Sequence, residues 1–163
     1  MRKADLDPLY AVASDPGLWD QHPAERYKRE VFEAFFNESM ASGGALVFED
    51  LASGEIIGSS RYLVFTDFPD TVEIGWTFLA RKYWGGAWNR LVKHLMMSYA
   101  FEHKKHVLLY IHRMNHRSYQ AAEKIGGRRI PETEHPAWPP THADNLIYLF
   151  TGPPDPPKTK ELG

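Results

Sequence analysis

The residues best suited to binding a ligand form a turn at positions 82–88, with the sequence K-Y-W-G-G-A-W. This turn leads directly into a helical pattern. Two adjacent glycines before a helix leave backbone N–H groups unpaired at the positive end of the helix dipole. Such an end binds anions, and phosphate suits it best. Arg81 and Arg90 flank the turn and can add charge-assisted hydrogen bonds. A glycine-containing connection without any ligand explains the same residues, so both interpretations stay open.

The eight histidines raise the question of a metal site, above all His103, His106, His112 and His116. His112 and His116 are four residues apart, but a predicted strand-to-helix break separates them. The chain has no cysteine, and no carboxylate set completes a zinc site. We therefore expect no metal. His112, at the end of a predicted strand, remains a reserve candidate for a general base.

Periodic apolar residues indicate the elements that must position these groups. Helices are predicted over residues 5–14, 24–40, 88–103 and 115–124. Strands are predicted over residues 45–49, 55–65, 71–80, 107–112 and 145–151. The first three strands should form an antiparallel meander, and the later strand–helix–strand order implies a right-handed crossover. Asn115 is expected to cap the fourth helix and Gly126 to end it, while Gly75 indicates a bulge or a close backbone approach.

Composition limits the classes of protein that the chain can belong to. With 163 residues, 43% of them hydrophobic, it can bury one ordinary core, so we expect a single domain over residues 1–151. Residues 152–163 are rich in proline and polar side chains and are expected to form a flexible tail. The net charge of −2 gives no bulk attraction for nucleic acid or anionic lipid. Because we find no cysteine, no signal peptide and no long apolar run, we expect a cytoplasmic protein without a membrane span.

A series of short motifs follows in order along residues 71–127. They are Glu73-Ile74-Gly75, Tyr83-Trp84, Tyr99-Ala100-Phe101-Glu102, and Met114-Asn115 with Ser118, Ala121, Lys124 and Gly126. Together they resemble the acyl-CoA-binding region of GNAT acetyltransferases, most closely the ribosomal-protein-type N-acetyltransferase branch. The resemblance implies an α/β (α+β) fold with a mixed, mostly antiparallel central sheet flanked by helices. It also implies a splayed pair of strands that holds acyl-CoA.

The resemblance implies acetyl-CoA as co-substrate and a set of residues that bind it. In the family a Q/R-x-x-G-x-G/A loop holds the pyrophosphate, and Trp84, Ala87 and Asn89 stand at its three defined positions. The pantetheine arm would take backbone hydrogen bonds from Phe78 to Ala80 and would lie beside the strand that starts at Val107. The implied CoA-binding residues are Phe78, Leu79, Ala80, Arg81, Trp84, Gly85, Gly86, Ala87, Trp88, Asn89, Arg90, Asn115 and Ser118.

The implied activity is N-acetylation, in which a neutral primary amine attacks the acetyl thioester directly. Glu73 is then the candidate base, acting through a water, and Ser118 the candidate partner of the leaving thiolate. Ordinary structural roles compete: Glu73 as a charged residue on a solvated strand face, and Ser118 as a polar residue of a first helical turn. Asn115 can cap its helix, contact pantetheine, or both. Many family members carry a tyrosine where this chain has Ala122.

One other interpretation of the function remains open at the level of sequence, and so does the identity of the acceptor. The degenerate loop and the absent tyrosine favour, as the alternative, a GNAT-fold module that binds acyl-CoA or a partner without turnover. The acceptor can be a protein N-terminus, an amino acid or polyamine, or a small foreign amine. Because the family's first strand is missing before the first helix, a homodimer could cover the exposed edge of the sheet.

Overall fold

The computed structural model describes residues 1–85 and 87–161, apart from the side chain of Thr159. These residues fall into two units. Unit 1 contains Met1–Tyr62 and Gly75–Gly85, and unit 2 contains Leu63–Ile74 and the described residues that follow Gly86. In this part of the chain no helix is long and apolar enough to cross a membrane.

The described residues form four α-helices and a sheet of six strands. The helices are α1 (Leu6–Ala13), α2 (Arg29–Ala41), α3 (Trp88–Phe101) and α4 (His116–Lys124). The strands are β1 (Ala45–Asp50), β2 (Glu55–Val64), β3 (Thr71–Leu79), β4 (His106–His112), β5 (Arg128–Arg129) and β6 (Asn145–Phe150). Their order in the sheet is β1-β2-β3-β4-β6-β5. The β3–β4 pair is parallel, whereas β1–β2, β4–β6 and β5–β6 are antiparallel, which confirms the mixed, mostly antiparallel sheet.

Unit 1 is held together by apolar side chains that α1, α2 and β3 bury against one another. Leu9 and Phe32 are fully buried, and Phe36 is 3% exposed. The ring of Phe78 in β3 stands edge-on to that of Phe32, with 6.3 Å between the ring centroids. Aromatic side chains bury the largest apolar area per residue, so these contacts fix the two helices on the strand.

Helix α2 begins at Arg29, so the predicted start at residue 24 is wrong. Lys28 has extended backbone angles, φ −80° and ψ 131°, which a helix does not allow. The carbonyl of Tyr27 accepts a hydrogen bond from the Tyr10 hydroxyl at 3.0 Å. The ammonium of Lys28 pairs with Glu25 at 2.6 Å. These contacts hold residues 25–28 in a turn, and the apolar spacing that starts at Tyr27 gives no sign of them.

Unit 2 is organised by the long antiparallel ladder between β4 and β6, which runs from Val107 opposite Phe150 to His112 opposite Asn145. The predicted cap of α4 is confirmed, because the side chain of Asn115 accepts a hydrogen bond from the N–H of Ser118. The predicted end at Gly126 is also confirmed: this residue has φ +93° and lies just beyond the helix.

Strand β5 was not predicted. It consists of two exposed arginines, Arg128 and Arg129, which pair with Leu149 and Tyr148 of β6. Because neither residue is apolar, no alternation of hydrophobic and polar side chains could indicate a strand here. Between β5 and β6 the chain forms a short 3-10 helix, Glu132–Ala137.

The segment after β6 makes contacts with α3. Pro154 is buried, and its carbonyl lies 2.7 Å from Nδ1 of His94. Residues Thr159–Glu161 form one 3-10 turn, and Glu161 forms an ion pair with Arg90. The expected flexibility of residues 152–163 stays a prediction, and residues 162 and 163 lie outside the described part.

Candidate active site

The end of β3 presents its backbone in a defined order. The N–H of Ala80 donates to the carbonyl of Ile57 in β2 at 2.8 Å. The carbonyl of Phe78 also faces β2, because a Cβ added to Gly58 would lie 2.1 Å from it. Backbone groups of successive strand residues point to opposite sides, so the N–H and C=O of Leu79 point away from β2. Of the three residues expected to bond pantetheine, Leu79 therefore has the suitably directed backbone groups.

Strand β3 contains a residue in a strained conformation. Trp76 has φ +54°, in the left-handed region that side chains other than glycine rarely adopt. The irregularity that the sequence indicated at Gly75 thus lies one residue later. The residues on either side of Trp76 contact β2: the hydroxyl of Ser60 donates to the Gly75 carbonyl at 3.1 Å and lies 2.8 Å from the Thr77 hydroxyl. Strain of this kind concentrates at functional sites, so β3 is the strand to inspect for chemistry.

The start of α3 has the features of an anion site. Ala87, the N-cap residue, is buried and offers no side-chain hydrogen bond to the N–H groups of the first turn. Trp88, Asn89 and Arg90 follow it, all half-buried. Gly85 before it is exposed with φ +72°. The predicted phosphate-binding residue Gly86 lies outside the described residues.

Two other residues predicted to bind CoA have partners inside unit 1. The guanidinium of Arg81 forms an ion pair with Asp15 at 2.5 Å. The indole N–H of Trp84 donates to the carbonyl of Leu79 at 2.9 Å. Trp84 therefore fastens the turn to the end of β3 and occupies the outward-facing carbonyl there. A role of Arg81 or Trp84 toward CoA stays a prediction.

Glu73 lies in a buried cluster of ionisable groups in unit 2. It is 7% exposed and pairs with Leu108 in the parallel β3–β4 ladder. Lys93 of α3 is 6% exposed, and burial lowers its pKa to about 7 while the charge of Glu73 acts in the opposite direction. Burial and the charge of Glu73 both raise the pKa of Tyr110 in β4. The solvated strand face considered as an alternative for Glu73 is wrong.

Lys93 and Tyr110 were not identified from the sequence. A signal for Lys93 was present, since it lies four residues before Met97 and seven before Ala100, on the buried face of α3. Tyr110 stands inside the apolar run of β4, and its hydroxyl donates to the carbonyl of Pro139 at 2.7 Å. A lysine at a core position and a tyrosine in a buried strand both depart from the apolar pattern. Such polar groups are rarely buried unless they have an interaction partner.

His112 is the last residue of β4, and Ser118 lies in the first turn of α4. The N–H of Ser118 is used by the Asn115 cap at 3.1 Å, and the residue is half-buried. Nδ1 of His112 accepts a hydrogen bond from the N–H of Met114 at 3.3 Å. Asn115 thus has its structural role, and the catalytic roles of Ser118 and His112 stay predictions. Among the described residues no three histidine, aspartate or glutamate side chains form a group that could hold a metal ion.

Comparisons with known proteins point to one family. The chain matches the family model for the acetyltransferase (GNAT) domain over residues 1–128. A search of curated proteins found no significant match. Similar solved structures include a GNAT-family acetyltransferase from Bacillus anthracis, with 18% identity over 91% of this chain and 89% of that one, and a TM-score of 0.69.

Two further similar structures contain coenzyme A. The PaiA N-acetyltransferase from Thermoplasma acidophilum is 18% identical, covers 93% of this chain and 95% of that one, and has a TM-score of 0.60. AAC(6')-Ib in complex with ribostamycin and coenzyme A is 17% identical, covers 93% and 90%, and has a TM-score of 0.70. At these identities the likeness shows the fold. Because the family model covers most of the chain, the protein belongs to the acetyltransferase (GNAT) domain family.

Proposed function

We propose that this protein transfers the acetyl group of acetyl-CoA to a primary amine. The observation that carries the proposal is the family match over residues 1–128, which spans every residue placed in the candidate site. The coenzyme A bound in two structures of the same fold supports acetyl-CoA as the donor.

The residues at the start of α3 fit the phosphates of CoA. The first-turn N–H groups receive no cap from Ala87, and the helix is long enough, from Trp88 to Phe101, to have a full dipole. Arg90 adds a cation in the first turn. We infer that these groups hold the pyrophosphate.

Leu79 is the candidate for polarising the thioester. As the amine nitrogen attacks the acetyl carbon, the carbonyl oxygen becomes an oxyanion, and a backbone N–H directed at it stabilises that charge. The N–H of Leu79 points away from β2 and is the group we assign to this task. The C–S bond then breaks, the sulfur leaves as the CoA thiolate and takes up a proton, and an amide is formed.

Glu73 is the candidate acceptor for the proton that the amine loses. A lysine amine with a pKa of about 10.4 is mostly protonated at pH 7, and its deprotonation costs roughly 4 to 5 kcal/mol, whereas an α-amine costs about 1 kcal/mol. Glu73 is buried, so a water must relay the proton to it. Such a base is adequate for an α-amine, which supports the ribosomal-protein-type branch and its N-terminal acceptors as the finer proposal.

A second candidate function is a module that binds acyl-CoA without turnover. It is favoured by Trp84, an uncharged residue at the Q/R position of the phosphate loop, and by the ion pair that already engages the neighbouring Arg81 with Asp15. The presence of Ala122, buried at 2% exposure, where many family members have a tyrosine, favours it as well.

The test is a thermal-shift titration with acetyl-CoA, followed in the same samples by thiol release with α-amines, lysine peptides and small amines. A ligand that binds only the native state must raise the melting temperature. We expect a shift and thiol release with at least one amine class. A shift without release supports the binding module, and no shift at saturating acetyl-CoA refutes both functions.

Glu73→Gln separates binding from chemistry. We expect the acetyl-CoA thermal shift to persist while turnover falls about 10²- to 10⁴-fold, the usual contribution of a general base. Glu30→Gln, at an exposed residue in the first turn of α2, is the matched control and should retain activity. Full activity of Glu73→Gln would remove Glu73 from the mechanism.

A further inference from the structure

Two consecutive residues of β2 bracket the strained residue of β3. The hydroxyl of Ser60 donates to the carbonyl of Gly75 at 3.1 Å and lies 2.8 Å from the hydroxyl of Thr77. The guanidinium carbon of Arg61 lies 3.5 Å from the ring centroid of Trp76. Ser60 is 1% exposed and Arg61 is 5% exposed. We call these two residues of β2 the β2 clamp, because together they contact the strained position and the residues before and after it.

The backbone conformation of Trp76 requires contacts that hold it. Its φ of +54° is unfavourable for a bulky side chain and persists only where the surrounding structure enforces it. A guanidinium group over the face of an indole ring is attracted to it, more strongly where water is excluded, and Arg61 is buried. Because the ring is joined to the backbone at Cα, a stack that fixes the ring of Trp76 also restrains its backbone.

The strained residue determines the direction of the backbone groups that follow it. Along an extended strand the N–H groups of successive residues alternate between the two sides. A single residue in another conformation interrupts this alternation and redirects the groups beyond it. Leu79 follows Trp76 by three residues, and its N–H points away from β2. If Trp76 relaxed to an extended conformation, the N–H that we assign to the thioester would change direction.

We propose that Arg61 is a positioning residue for acetyl transfer. Its guanidinium group, stacked on Trp76, holds the left-handed backbone that directs the N–H of Leu79 at the thioester. This inference rests on the proposed function and adds a residue to the site that performs it. Arg61 acts through Trp76 and not by contact with acetyl-CoA or the amine. Its effect on kcat therefore depends on which φ angles residue 76 can adopt.

The first experiment compares Trp76→Gly with Trp76→Ala in the thiol-release assay. Both variants remove the ring, but glycine adopts positive φ about as readily as negative φ, whereas alanine does not. We expect kcat of Trp76→Ala to fall about hundredfold, the cost of a reacting group displaced by about 1 Å. Trp76→Gly should retain a kcat about tenfold or more above that of Trp76→Ala. Equal kcat values for the two variants overturn the inference, because the ring and not the backbone would then be the part that matters.

The second experiment asks whether Arg61 supplies the restraint. Arg61→Met should lower kcat about tenfold to hundredfold and leave KM for acetyl-CoA and for the amine nearly unchanged. In the Trp76→Gly background the same substitution should have no further effect on kcat, because no ring is left to stack. Arg128→Met, at an exposed arginine of β5, is the control and should behave as the wild type.

The outcomes of the second experiment separate three roles of Arg61. A higher KM for the amine with unchanged kcat means that Arg61 binds the acceptor, and an equal loss of kcat in both backgrounds means that its other contacts matter. Either result overturns the inference. Where Arg61→Met does not fold, Arg61→Lys replaces it. Lysine keeps the charge but lacks the planar group that stacks on the ring, so the same dependence on residue 76 is expected.

Melting temperatures test the strain without turnover. Glycine in a strand is ordinarily less stable than alanine, but at residue 76 the order should reverse, with Trp76→Gly melting roughly 2 °C or more above Trp76→Ala. Leu146→Gly and Leu146→Ala are the matched control, at a half-buried residue in the regular ladder between β4 and β6, and should show the ordinary order. An ordinary order at residue 76 in an enzyme that turns over refutes the role of Arg61 and preserves the acetyltransferase. Failure of the wild type to release thiol with any amine refutes the proposed function, and the positioning role with it.

Discussion

Replacing the buried Lys93 by methionine should change how the stability of this protein depends on pH. The pKa of Lys93 is about 7 in the folded protein, against an ordinary value of 10.5. A difference of about 3.5 units corresponds to roughly 5 kcal/mol of preference for the neutral amine in the fold. Methionine fills a similar volume without an ionisable group, so it removes this term.

The direction follows from proton counts. Between the folded and unfolded pKa values the unfolded chain binds one proton that the folded chain lacks, so the free energy of unfolding rises with pH by about 1.4 kcal/mol per unit. From pH 7, where folded Lys93 is half protonated, to pH 9, the wild type should therefore gain roughly 2 kcal/mol from this residue. Lys93→Met should lack that gain.

Urea unfolding at pH 7, 8 and 9, followed by far-UV circular dichroism, measures the effect as the difference in slope between the two proteins. In Glu73→Gln the rise of stability with pH should begin at a lower pH than in the wild type, because the charge of Glu73 raises the pKa of Lys93. Lys124→Met, at an exposed residue at the end of α4, controls for the loss of a lysine. Equal pH slopes for the wild type and Lys93→Met would refute the reasoning, because they would mean that Lys93 reaches water in the folded protein.

Three smaller perturbations test other parts of the structure. Asn115→Ala removes the cap on the N–H of Ser118 and should lower the free energy of unfolding by about 1 kcal/mol, measured by urea titration; unchanged stability would speak against the cap. Gly126→Ala forces a side chain into φ +93° and should cost about 1 kcal/mol or more, which a melting temperature equal to that of the wild type would contradict. Glu161→Gln removes the carboxylate that pairs with Arg90, so the KM for acetyl-CoA should fall up to about fivefold, with little change in melting temperature. A KM that stays constant or rises would separate Arg90 from phosphate binding.

The elements that carry the site could be predicted because their signals are local. The apolar spacing from Leu91 to Tyr99 is a property of α3 alone, and the cap at Asn115 and the end at Gly126 depend on residues a few positions apart. The order of short motifs from Glu73 to Gly126 was sufficient to indicate the family that the model over residues 1–128 shows. Local sequence was less informative where a contact with a distant residue determines the structure. The start of α2 is an example, because the Tyr10 hydroxyl donates to the carbonyl of Tyr27.

Sequence by itself determined the fold class and most of the candidate site residues, because backbone propensity and apolar period act over a few residues. The expected donor came from the order of the family's motifs. Only the tertiary structure decided the environments of those residues. It buried Lys93 beside Glu73 and placed Arg61 over the ring of Trp76, and no regular spacing in the sequence predicts either pairing. Burial and proximity of charges set pKa values and ligand preference, and both depend on which elements the folded chain places in contact.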